Sequence, residues 1–181
     1  LKVSSLDAIG VVTDIDSFET QLNSFSAANN ASFSMGGVSN SVNRKKLMDL
    51  PEGKKVYAAY RKDTRLYMCT SDAVYFFDNN AYTKVKLPSG VTLSNVFDWS
   101  VTSIGVYTVF ASRNCTPFAL QDGVVDAVKL PGWADADRIT RIVSFQNMLV
   151  AIGVYMGSTE FPQRVVWSDV AVGNNLPPSW T

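Results

Sequence analysis

The runs "RLYMCT" (Arg65 to Thr70), "VYTVFA" (Val106 to Ala111) and "MLVAIG" (Met148 to Gly153) follow one another at offsets of 41 and 42 residues. "KVKLP" (Lys84 to Pro88) likewise returns as "AVKLP" (Ala127 to Pro131), 43 residues on. Self-similarity at a fixed period is the mark of a repeat architecture, and a period of about 40 to 45 residues with about four strands per unit is the length of a β-propeller blade.

Around these runs the chain has the texture of short strands. "KVYAAY", "AVYFFD", "YTKVKLP", "GVYTVFAS", "PFALQDG", "VVDAVKLP", "IVSFQNMLVAIGV" and "RVVWSD" are rich in Val, Ile, Tyr and Phe. Between them stand "RKDT", "DNN", "PSG", "QDG" and "VGNN", whose Asp, Asn and Gly suit tight turns. The spacing predicts meandering antiparallel sheet over residues 51–181, in about three blade-like units. Three blades do not close a ring, so the expectation is an arc of a longer propeller, the alternative being the strands of one sandwich. The closing stretch "RVVWSDVAVGNNLPPSW", Arg164 to Trp180, reads as a strand stopped at Ser168-Asp169 with a Pro-rich exit.

Residues 1–50 differ. They are rich in Ser and Asn, with scattered apolar residues. Phe18, Leu22 and Phe25 stand at i, i+4 and i+7, the spacing of one face of a short helical turn. "MGGVSN" (Met35 to Asn40) places Gly36 and Gly37 where a tight turn needs positive φ. The segment reads as a polar N-terminal arm. Because the chain begins at Leu1, not Met, a fragment or processed product is expected.

Composition excludes much chemistry. The 181 residues are 46% hydrophobic, enough for a real core. Sixteen Lys and Arg balance sixteen Asp and Glu, so no global field holds a polyanion. Histidine is absent, which removes the commonest general base and the Ser-His and Cys-His pairings. Cys69 and Cys115 lack metal-ligand spacing and read as buried apolar thiols. The longest apolar runs are far short of the roughly 20 residues of a membrane-spanning helix, and the N-terminus shows no basic-then-apolar signal pattern.

Individual motifs are weak. "TDIDSFE" (Thr13 to Glu19) resembles a calcium loop only until it is counted: from Asp14 the fifth position is Phe18, the sixth Glu19 and the twelfth Phe25. Capping by Asp14, Asp16 or Ser17 is the ordinary reading. The basic cluster Arg44, Lys45 and Lys46 suits a solvated turn or contact with an acidic partner or DNA phosphates. Asp135, Asp137, Arg138 and Arg141 suggest surface pairing. Trp99, Trp133, Trp167 and Trp180 are expected to plug seams between sheets more often than to stack on a ligand. No nucleotide loop or nucleophile elbow is present, and no catalytic, cofactor or metal residue is assigned. A propeller glycosidase would need a carboxylate pair, and Asp14, Asp98, Asp135 and Glu160 are not paired by sequence.

One resemblance adds to this. "GVVTDIDSFETQLNSFSAANNASFSMGGV" (Gly10 to Val38), "FQNMLVAIGV", "PQRVVWSD" and "LPPSW" resemble the opening segment, the Arg-hydrophobic-Trp-Ser-Asp strand end and the Pro/Trp exit of the nozzle, or tail tubular B-like, proteins of short-tailed bacteriophages. Thr20 to Asn23 and Asn43-Arg44 depart from that family's Pro-containing turns. The resemblance implies a non-enzymatic structural protein of the virion tail and the N-terminal portion of a longer nozzle. It implies a multi-copy, sixfold ring below the portal and adaptor, in contact with other tail proteins, with DNA passing through its channel. Candidate subunit contacts are then Phe18, Phe25, Phe33, Gly36, Gly37, Arg44, Lys45, Lys46, Arg164, Trp167 and Asp169. The competing reading is a propeller-type adhesion or binding module for a glycan or protein.

Overall fold

The computed structural model describes residues 31–34, 37–40, 50 and 53–181. The chain divides into two units, Leu1–Asp49 and Leu50–Thr181. In the first, β1 (Ala31–Ser34) and β2 (Gly37–Asn40) pair antiparallel, with Ser34 opposite Gly37 and Phe33 opposite Val38. Of the expected glycine turn, Gly37 opens β2, while Met35 and Gly36 lie outside the described residues. The expected helical turn at Phe18, Leu22 and Phe25 and the basic Arg44 to Lys46 lie outside the described residues.

The second unit is three antiparallel meanders, and no α-helix occurs among the described residues. The first sheet contains β3 (Ala58–Lys62), β4 (Arg65–Cys69), β5 (Val74–Asp78) and β6 (Ala81–Lys84). The second contains β7 (Ser100–Ile104), β8 (Tyr107–Ser112), β9 (Cys115–Gln121) and β10 (Val128–Lys129). The third contains β11 (Arg138–Phe145), β12 (Met148–Met156) and β13 (Thr159–Trp167). Within each sheet every strand pairs with its successor, so hairpins carry the chain across it. Their turns use left-handed backbone where the sequence supplies residues that tolerate it: Asp63, the pair Asn79 and Asn80, and Gln146. Beside β13, residues 179–181 take the place of a fourth strand: Trp167 and Thr181 exchange backbone hydrogen bonds of 3.1 and 2.8 Å.

Two strand expectations are corrected. "IVSFQNMLVAIGV" is not one run, because Gln146-Asn147 turns it into the hairpin of β11 and β12. β7, with the sequence SVTSI, was absent from the expected strands because it lacks an apolar run.

The sheets meet through two apolar seams, built by period-2 alternation. Tyr67, Cys69, Val74 and Phe76 of the first sheet share a core with Phe110, Phe118 and Leu120 of the second. Val109, Ala111 and Ala119, on the second sheet's other face, join Ile139, Ile142, Leu149, Ala151 and Val166 of the third. The second sheet is buried on both faces, which explains its near-continuous apolar strands β8 and β9. Trp99 closes the first seam, donating to the Thr70 carbonyl at 2.9 Å and standing edge-on to Phe118. Trp133 closes the second, edge-on to Trp180.

The repeat is also written in hydrogen bonds between the first strands of successive sheets. The Tyr60 hydroxyl donates to Ser103 Oγ at 2.9 Å, 43 positions on, and Lys62 Nζ to the Gly105 carbonyl at 2.9 Å, again 43 on. Ser100 Oγ donates to the Ile142 carbonyl and accepts from the Ile142 N–H, 42 positions on. At the same separation Thr102 Oγ1 accepts from the Ser144 N–H and donates to the Ser144 hydroxyl at 3.0 Å. The all-β, antiparallel reading therefore holds, and the three sheets form an open series that is not closed on itself.

Candidate interaction surface on the third sheet

Counting from each hairpin turn places equivalent residues of the three sheets in equivalent rows. Tyr60, Tyr67 and Phe76 form one row of the first sheet. Thr102, Val109 and Ala119 form the same row of the second, and Val143, Val150 and Trp167 that of the third. The neighbouring row, Ala58, Cys69 and Val74 in the first sheet, becomes Arg141, Ile152 and Val165 in the third. In the first two sheets these rows face the following sheet. In the third they face outward, with Val143 50%, Phe145 59%, Ile152 41%, Val165 47% and Trp167 52% exposed. Scattered surface hydrophobics are normal, but a contiguous apolar face across three paired strands marks a contact surface.

The other end of this sheet is shaped by Gly153, whose φ is +67°. There the strands kink, so Ile139 and Ile142, three residues apart, both reach the second seam. Beyond the kink the Arg164 guanidinium lies 5.5 Å from the Phe161 ring centre and 3.3 Å from Met156 Sδ. A cavity of about 280 Å³ is walled by Trp133, Met156, Arg164, Val166 and Trp180. The Trp133 indole N–H is buried without a hydrogen-bond partner, while that of Trp180 donates to the Pro131 carbonyl at 2.9 Å.

Of the sequence-derived contact residues, Phe33 and Gly37 lie in the β1–β2 hairpin, and Arg164, Trp167 and Asp169 lie in or just after β13. Phe18, Phe25, Gly36, Arg44, Lys45 and Lys46 lie outside the described residues. Trp99 and Trp133 are seam residues, as expected, whereas Trp167 is exposed. Asp169 accepts a hydrogen bond from the Ser179 hydroxyl, tying the strand end to the Pro-rich exit. Sequence reading missed the companions of Trp167, namely Val143, Phe145, Ile152 and Val165. Their apolar identity was legible, but their outward direction was not.

The carboxylates have local structural partners. Asp98 accepts from Ser112 Oγ at 2.6 Å and pairs with Arg113. Asp135 pairs with Lys129, and Glu160 accepts from the Tyr155 hydroxyl, holding that phenol above its ordinary range. Asp14 lies outside the described residues. Of the stretch Asp135, Asp137, Arg138 and Arg141, expected to pair at the surface, Asp135 does so with Lys129, while Asp137 accepts from the Ala134 and Gly157 N–H groups and Arg138 donates to the Asp135 and Asp137 carbonyls. These contacts brace the loop entering β11. Among the described residues no group of three or more His, Cys, Asp or Glu is placed to hold a metal ion, and no helix is long and apolar enough to cross a membrane.

Both cysteines are free and buried in the first seam. Burial pushes both thiols up, Cys115 to about 12 from its ordinary 9.0. Alkylation by iodoacetamide is therefore expected to stay slow in the native chain and become rapid on unfolding; fast native labelling would contradict the seam. The same shift gives a pH dependence. Above pH 9.0 the unfolded thiol ionises while the folded one keeps its proton, so the unfolded state binds fewer protons and stability falls as pH rises toward about 12.

No family model matches the chain, and no curated protein matches it. What the fold and this face define is a class: an all-β protein of successive antiparallel meander sheets joined by apolar seams.

Proposed function

We propose that the chain is an arc of a β-propeller within a tail nozzle subunit of a short-tailed bacteriophage, a structural virion protein that lines the exit channel of the genome. The observation that carries the architectural part is the recurrence of the seam bonds at separations of 42 and 43 residues. The virion part rests on the resemblance of Gly10 to Val38, Pro162 to Asp169 and Leu176 to Trp180. In this reading the protein forms a sixfold ring against an adaptor ring and other tail proteins. Its role is assembly and conduction, not catalysis. Zero formal net charge suits a conduit that lets DNA pass without holding it.

Electron microscopy of the purified parent assembly tests this directly. A ring of symmetry-related copies around a central pore is expected; a monomer outside any ring would overturn the nozzle assignment. The second reading, an adhesion or binding module, is favoured by the Trp133–Trp180 cavity, since aromatic walls suit a sugar face or an apolar side chain. Binding of a glycan or protein segment there, lost in Trp180→Ala with the fold intact, would support it.

A further inference from the structure

The outward face of the third sheet asks for an occupant, and the two existing seams specify its form. We infer that this face is a third seam, covered by a fourth antiparallel meander sheet of the same polypeptide. The inference rests on the propeller-arc architecture and not on the virion assignment.

Three observations carry it. Residues that seal the first seam, Tyr67, Cys69 and Phe76, and those that seal the second, Val109, Ala111 and Ala119, have Val150, Ile152 and Trp167 as counterparts in the third sheet. The interface is thus continuous with two established ones, one sheet further along. Next, two of its rows are more apolar than their counterparts: Val143 stands in the row of Tyr60 and Thr102, and Phe145 in that of Lys62 and Ile104, while Arg141, in the row of Ala58 and Ser100, is the one charged residue among the third-sheet positions compared. An aliphatic and aromatic face left in water across three strands costs free energy that burial under another sheet would recover. Finally, residues 179–181 lie in the fourth-strand position beside β13. From that position, after β6 and after β10, the chain passes to the first strand of the next sheet.

A second copy is a poorer occupant. If it offered the far side of its first sheet, that side has Met68 and Tyr75 already buried and sets exposed Arg61 and Lys84 beside Tyr82 in its rows, a mixed surface that complements an apolar one less well than a meander sheet's apolar face does. The first strand of the incoming sheet should also differ in chemistry. With Val143 in place of Thr102, the hydroxyl pairing seen between Thr102 and Ser144 is replaced by apolar packing at that row.

The test uses Ile152→Cys, and Val165→Cys as an independent second position, in a chain whose native thiols are both buried. N-ethylmaleimide labelling is timed in the 181-residue chain, dilute and concentrated, and in the full natural polypeptide. The expected result is rapid labelling of the 181-residue chain at both concentrations and at least about tenfold slower labelling of the full polypeptide, as covering by a packed sheet requires. Equal, rapid labelling in both would overturn the inference. So would protection of the 181-residue chain that grows with concentration, which would make a second copy the occupant. A virion without a ring of this chain would overturn the nozzle reading and leave this result standing.

Discussion

Phe118→Ala is expected to remove roughly 3–5 kcal/mol from the stability of the second unit, the range for deleting a fully buried Phe. Phe118 has no exposed surface, stacks on Phe110 with ring centres 5.1 Å apart and receives the edge of Trp99 at 6.4 Å. Its neighbours belong to strands held in register on both sides, so the space left behind cannot collapse, and the cavity adds to the lost transfer free energy. Urea unfolding followed by Trp fluorescence should show the midpoint falling by about 1 M or more, given slopes of about 1–3 kcal/mol per molar for domains of this kind. The matching control is Trp167→Ala in the 181-residue chain. Trp167 is also a large aromatic, but it is 52% exposed and its removal should change stability far less. If the two substitutions cost the same, the assignment of one ring to a seam and the other to an open face would fail.

Gly153→Ala is expected to cost about 2–4 kcal/mol, a large effect for the addition of one methyl group. Two terms add. The φ of +67° is a left-handed conformation that costs a residue with a Cβ about 1 kcal/mol. The new Cβ would also stand 2.7 Å from Thr140 Oγ1 and 2.9 Å from Thr140 Cβ, an overlap of the kind that costs about 1–3 kcal/mol. Thr140→Ala removes the nearer of these atoms, so the double variant should recover part of the loss, with a coupling of about 0.5–2 kcal/mol. A loss below about 1 kcal/mol for Gly153→Ala would mean that the kink is soft. The seam would then not depend on it to bring Ile139 and Ile142 to one face.

Both substitutions probe what a linear reading could not supply. β7 passed unnoticed because Ser100, Thr102 and Ser103 look like loop residues. Their hydroxyls are satisfied only by groups about 42 residues away, on the first strands of the adjacent sheets. Gly153 closed one of the repeated runs in the sequence and gave no sign that it opens a kink, since the contact that demands glycine comes from Thr140 on the paired strand. The turn residues fared better. Asp63, Asn79 and Asn80 lie at hairpin ends because their preference for left-handed backbone is local and needs no partner.

By itself the sequence determined the all-β class, the positions of most strands and turns, the period of about 42 residues and the absence of histidine-based chemistry. Each follows from local backbone preference or from composition. Only the tertiary structure decided which apolar residues are core. In β13, Val165, Val166 and Trp167 are consecutive and all apolar, yet Val166 is sealed in a seam while its neighbours face outward. Alternation separates the two faces of a strand but does not say which is covered. That depends on the neighbouring sheet, which the second sheet has on both sides and the third has on one.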